Sequence, residues 1–112
     1  MLTASLFSTM KSEYERIIDT LGVQMNWTQA KPPRNTKQVV AGMKIAGVQD
    51  DAIVQAYGVG ARIITVKAAD FATAPEKFDK FAVGTESHIA EAVHQVHLNA
   101  QLIGYKIYVK GK

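Results

Sequence analysis

Ile17-Ile18-Asp19-Thr20-Leu21-Gly22-Val23-Gln24-Met25-Asn26-Trp27-Thr28 changes its period at a glycine. Upstream of Gly22, Leu6, Phe7, Met10, Tyr14, Ile17, Ile18 and Leu21 recur at three- and four-residue steps, the spacing of one helical face. Ser8, Lys11, Ser12, Glu15, Arg16 and Asp19 mostly fall elsewhere on the wheel. The spacing predicts an amphipathic helix over 4–21, capped by Thr3 or Ser5 and stopped by Gly22, which tolerates positive φ. Each large apolar side chain on that face stabilises by about 1.5–3 kcal/mol when buried. A helix of this length is marginal alone in water, so it must dock on its own sheet or on a neighbouring subunit. Downstream of Gly22, Val23, Met25 and Trp27 alternate with Gln24, Asn26 and Thr28, the period-two pattern of a half-buried strand.

The rest of the chain keeps the second period. Gln29 to Lys37 holds Pro32-Pro33 followed by Arg34-Asn35 and reads as an exposed loop, since proline removes backbone donors from a sheet ladder. From Gln38 to Val48, Val39, Ala41, Met43 and Ile45 share one strand parity, with Gly42 and Gly47 marking a close approach or a bulge. Asp50-Asp51 reads as a turn. Ile53 to Tyr57 is a short apolar run taken as a strand candidate, broken by Gly58 and Gly60. Arg62 to Lys67, rich in β-branched residues, is the clearest middle strand. Residues 68–79 form a second loop around Pro75, with Phe78 and Phe81 expected to cover an end of the core. Lys80 to Val83 then leads as a short strand to Gly84. Segment 87–98 has a helix-prone Ala and Glu content, yet its place between Gly84 and Asn99 favours a hairpin strand. Leu102 to Lys110 alternates, with Tyr105, Ile107 and Val109 on one side. The expectation is an α+β single domain over 1–112. An N-terminal amphipathic helix (1–22) precedes a small, mostly antiparallel β-barrel or sandwich (23–112) with long loops at 29–37 and 68–79.

Composition bounds the function. The chain has 112 residues, 47% hydrophobic and 21% charged, close to an average soluble domain. It contains no cysteine, which excludes a disulfide scaffold and a cysteine-based zinc site and fits a reducing compartment or a particle assembled inside a cell. Met1 to Phe7 lacks the basic start of a signal peptide, and no window approaches the roughly 18 apolar residues of a membrane span. A soluble protein is expected. The net charge of +3 is scattered, with Lys31, Arg34 and Lys37 in the middle and Lys106, Lys110 and Lys112 at the end. Dedicated nucleic-acid binders concentrate such charge on one face with exposed aromatics between.

No constellation of reacting groups stands out. His94 and His97 would share a face on a helix, but on a strand they point apart. His88 and His94 would then share a face about 20 Å apart at roughly 3.3 Å per residue, too far for one ion. All three histidines are therefore expected as ordinary surface or interface residues. Asp50-Asp51 fits a turn better than a catalytic pair. Gly58-Val59-Gly60 lacks the third glycine of a dinucleotide fingerprint, since Ile63 stands there. Trp27 is read as core, with an interface anchor as the alternative. No enzymatic activity, cofactor or metal is expected.

The order of elements in the second half suggests a family. Ile64-Thr65-Val66-Lys67-Ala68-Ala69-Asp70-Phe71 is followed by Phe81-Ala82-Val83-Gly84-Thr85-Glu86, then Glu91-Ala92-Val93 and Gly104-Tyr105-Lys106-Ile107-Tyr108-Val109-Lys110-Gly111. Behind an N-terminal helix and a stretch ending Ala46-Gly47-Val48, this order resembles the head–tail joining proteins of tailed bacteriophages, also called head-completion or stopper proteins. Segment 87–98 departs from the pattern in its helix-prone composition and its histidines. The resemblance implies a small β-barrel without enzymatic role or cofactor. It would bind as a homo-oligomeric ring, hexameric or dodecameric, beneath the portal after DNA packaging. Its partners would be portal or adaptor proteins, tail proteins and packaged double-stranded DNA, with no membrane. Its place would be the virion neck, assembled in the host cytoplasm. The contact residues it implies are Pro32, Pro33, Arg34, Asp70, Pro75, Lys106 and Lys110. Two rivals stand beside it: another connector part, adaptor or tail terminator, and a small β-barrel that binds single-stranded nucleic acid through Tyr108 between Lys106 and Lys110.

Overall fold

The period-two segments close on themselves. A computed structural model describes residues 4–47 and 50–110. Helix α1 (Ala4–Leu21) is followed by strands β1 (Val23–Thr28) and β2 (Thr36–Ile45), helix α2 (Asp51–Tyr57), and strands β3 (Arg62–Lys67), β4 (Lys80–Val83), β5 (Glu86–Leu98) and β6 (Gln101–Val109). The six strands form a closed barrel in the order β1-β2-β3-β6-β5-β4, and every pairing is antiparallel. The α+β expectation holds, with the barrel and not the sandwich. Thr3, one of the two expected caps, and the end of the middle strand at Val48 lie outside the described residues, while Ser5, the other, falls inside α1.

Two elements differ from their expected form. The run Ile53 to Tyr57 is helical. Its Asp51 favours the helix N-terminus, Gln55 Nε2 donates to Asp51 Oδ2 at 3.1 Å one turn away, and Gly58 closes the end with its N–H on the Val54 carbonyl at 2.7 Å. Seven residues are too few for the apolar spacing to separate the two periods. The first loop is also shorter than expected, because β2 starts at Thr36, whose hydroxyl lies 2.9 Å from that of Thr28 on β1. Segment 87–98 is strand as expected. Its first residues pair with β4 and the rest with β6, so the ladder overrides its helix propensity.

The barrel interior is filled by side chains. Met25, Trp27, Val39, Ala41, Ile64, Val66, Phe81, Ala90, Tyr105, Ile107 and Val109 form one buried cluster. Of the two aromatics expected to cover an end, Phe81 is fully buried inside and Phe78 is exposed. The cover is Phe71, whose ring lies 4.7 Å from Trp27 and 5.9 Å, edge-on, from Tyr105. Antiparallel alternation places loops 29–35 and 71–79 and the Asn99-Ala100 turn at one end. Ala46, Gly47, α2 with Gly58 to Ala61, the Gly84-Thr85 turn and Lys110 lie at the other.

Helix α1 packs on the outer wall through a narrow set of contacts. Ile18 is buried, and Lys67 on β3 meets Asp19 at 2.6 Å. The Tyr14 hydroxyl donates to the Val66 carbonyl at 3.2 Å. It reaches that carbonyl over Gly104, where a Cβ would collide with both the hydroxyl and the carbonyl. Burial pushes the Tyr14 hydroxyl up to about 12.

Gly104→Ala is expected to lower stability by about 1–3 kcal/mol, the usual cost of overpacking, read as a lower urea midpoint at unchanged slope. Tyr14 adds a pH signature. Its pKa is raised in the folded chain from 10.0 to about 12, so its neutral form is the one the fold favours. Its contribution is complete below the unfolded value and disappears as pH rises through the folded one. Tyr14→Phe should therefore flatten the part of the stability–pH curve that belongs to this group above pH 10. It should also cost about 0.5–1.5 kcal/mol at neutral pH for the lost hydrogen bond.

Candidate functional site

Asp79 stands immediately before β4 and is 2% exposed. A buried carboxylate persists only when its oxygens accept hydrogen bonds, and here three N–H groups converge on it. Trp27 Nε1 donates to Oδ2 at 2.8 Å, the Ala30 amide to Oδ1 at 2.9 Å and the Glu76 amide to Oδ2 at 2.9 Å. The main chain of Asp79 is tied as well, since its N–H reaches the Glu76 carbonyl at 3.1 Å and its carbonyl accepts from Ala90 at 2.9 Å. The Asp79 side chain thus joins the end of β1, loop 29–35 and loop 71–79, and its main chain ties them to β5.

The consequence is a shared surface. Pro32 and Pro33 from the first loop and Thr73, Ala74 and Glu76 from the second border a surface cavity of about 330 Å³. Lys31 and Glu76 bridge the loops at 3.4 Å, an exposed pair that contributes little by itself. Pro32, Pro33 and Arg34 are exposed, as the sequence reading expects. Pro75, by contrast, is buried.

The other expected contact residues lie elsewhere. Asp70 is half-buried beside Lys67 at 3.6 Å, and its carbonyl takes the Lys37 ammonium. Lys106 is exposed on the outer wall of β6, in cross-strand register with His94. Lys110 is exposed at the opposite end, next to Arg62 and His88. Only the two proline loops are brought together.

The histidines need two corrections. His88 is not a surface residue: it is 2% exposed, with Nε2 3.4 Å from Arg62 Nη1 and 3.3 Å from Glu86 Oε2, while Arg62 and Glu86 pair at 3.1 Å. Nor do His88 and His94 share a face. The register shifts between Ala90 and Ala92, and this bulge reverses the parity of β5. His88 therefore points into the barrel, while His94 lies on the outer wall with its ring 4.9 Å from Tyr108. Among the described residues, no three His, Asp or Glu side chains are grouped to hold a metal. The cavity beside Arg62 and His88 measures about 140 Å³, below the size of ordinary small-molecule sites.

Sequence reasoning missed Asp79 and the Arg62–Glu86–His88 group. A signal for the first exists, because a buried indole N–H needs an acceptor. Trp27 as core therefore demands a partner, although nothing in the linear order says which of the acidic residues supplies it. Compared with protein-family models, curated proteins and solved structures, the chain matches none.

Asp79→Ala is expected to destabilise the fold by about 1–3 kcal/mol, since it strands the buried indole donor of Trp27 and two part-buried amides. Trp27→Phe combined with Asp79→Ala should cost less than the two single changes added together, with a coupling of about 0.5–3 kcal/mol. Urea unfolding followed by circular dichroism measures both, and strict additivity would remove the pairing from the account.

Proposed function

We propose that this chain is a non-enzymatic structural subunit of a tailed-bacteriophage neck. It assembles as a ring of six or twelve copies beneath the portal, closes the packaged head and offers a surface to the tail. The observation that carries this reading is the convergence of the two proline loops on one end of a side-chain-filled barrel, held there by Asp79. Loops fixed in advance lose little conformational freedom on contact, which favours association over many small interfaces. Cyclic repetition multiplies such a surface, each copy offering one side to the next. The order of helix, strands and loops supports the reading through its resemblance to head–tail joining proteins.

The single-stranded nucleic-acid alternative draws less support. It needs an open aromatic face among basic side chains, and Tyr108 is its one candidate. Tyr57 of α2 stacks on that ring at 5.6 Å and an interplanar angle of 11°, while His94 packs against it edge-on. The platform is occupied from within.

The test replaces Pro32, Pro33 and Arg34 with Gly, Ser and Gly in the full chain and adds the protein to portal rings of the phage that encodes it. Electron microscopy should show an added ring layer with the native chain and none with the variant, whose circular dichroism and thermal midpoint stay native. Failure of the native chain to bind, together with salt-sensitive binding to oligonucleotides, would replace this reading with the nucleic-acid one.

A further inference from the structure

Helix α1 buries only part of its apolar surface. Tyr14 and Ile18 face the barrel, while Leu6, Met10, Ile17 and Leu21 remain 46%, 41%, 47% and 77% exposed. At about 100° per residue these four occupy a sector roughly 60° wide along one flank of the helix. The apolar surface continues past Ile17 and Leu21 into a cavity of about 410 Å³, across which stands Met43 of β2, itself 37% exposed.

The spacing of this stripe describes its own complement. Leu6 and Leu21 lie equally far from the midpoint between Glu13 and Tyr14, and so do Met10 and Ile17. A second α1 laid antiparallel would therefore set Leu6 on the partner's Leu21 and Met10 on the partner's Ile17, and the same contacts would repeat in reverse. Charge follows the same symmetry. Glu13 and Arg16 flank the stripe near its midpoint on the solvent side, and they pair within the chain at 2.8 Å. Antiparallel helices bring like flanks together, so Glu13 of one copy would face the partner's Arg16 with an axial offset of about 3 Å. The hydrogen bond from Arg16 already holds the Glu13 carboxyl below its ordinary range, so the acid is ionised at neutral pH. Both side chains are more than half exposed and free to exchange partners.

We propose that α1 is a two-fold docking site for a second copy of this chain, closed by Leu6, Met10, Ile17 and Leu21 and registered by reciprocal Glu13–Arg16 pairs. The contact is isologous and stands apart from the neck reading, in which ring contacts run head to tail. A lipid surface is a poorer occupant. The helix carries Lys11 and Arg16 against Glu13, Glu15 and Asp19, and an anionic membrane repels that balance. One helical stripe falls short of the roughly 800 Å² per partner of a stable complex, so the dimer is reversible.

Sedimentation of the full-length protein over a range of concentrations tests this. The native chain should shift from monomer to dimer as concentration rises, and Ile17→Glu should weaken the dimer by about tenfold or more. Glu13→Arg and Arg16→Glu should each weaken it, while the double variant restores it, with native thermal midpoints throughout. Because the chain has no cysteine, Glu13→Cys alone should cross-link copies under oxidation and Leu21→Cys should not, since antiparallel packing separates the latter pair by about 22 Å. A native chain that stays monomeric at every concentration, a dimer indifferent to Ile17→Glu, or cross-linking through Leu21→Cys would each overturn the proposal. A monomer that instead binds anionic vesicles through Ile17 would overturn it in favour of a lipid surface.

Discussion

A carboxylate removed from water must be surrounded by donors, and at Asp79 the donors come from segments far apart in the chain. The indole of Trp27, the amide of Ala30 and the amide of Glu76 all point at one group. Trp27 can sit in the core only because its N–H has this acceptor. The first proline loop is held at Ala30, and the second is folded back at Glu76. The neighbouring Phe78 adopts a φ of 77°, a left-handed conformation costly for a bulky residue. Its N–H on the Ala90 carbonyl at 2.8 Å and the anchored Asp79 beside it hold it there.

Around that point the molecule separates into a filled interior and an exterior that carries the clefts. The barrel core leaves its cavities on the outside: between the loops, beside Arg62 and His88, and under the flank of α1. Helix α1 belongs to that exterior layer. It is held by Tyr14 over Gly104, by Ile18 and by the Asp19–Lys67 pair, contacts that use one side of the helix and leave the next side apolar and exposed. The molecule's buried polar groups join segments to one another.

Much of the architecture was legible because period is a local property. The change at Gly22 separates α1 from β1, and the alternation in Arg62 to Lys67 and Leu102 to Lys110 marks two central strands. Segment 87–98 was legible as β5 through its flanking turn residues, against its composition. What stayed hidden depends on counting or on distance. Seven residues around Ile53 cannot show which period they follow. The bulge between Ala90 and Ala92 leaves no mark in the sequence, yet it moves His94 to the face opposite His88. The proline loops could each be read as loops, but their meeting depends on Asp79, more than forty residues from its partners Trp27 and Ala30. The burial of Pro75 follows from the same closure and was invisible for the same reason.

Hydrogen exchange at the Trp27 indole, followed by nuclear magnetic resonance in the folded protein, tests this account most directly. The account predicts that the Nε1 proton exchanges only through global unfolding, at the free energy that denaturant unfolding reports for the whole domain. Exchange at the rate of a free indole while the barrel remains folded would contradict it, because the carboxylate could not then be holding the loops.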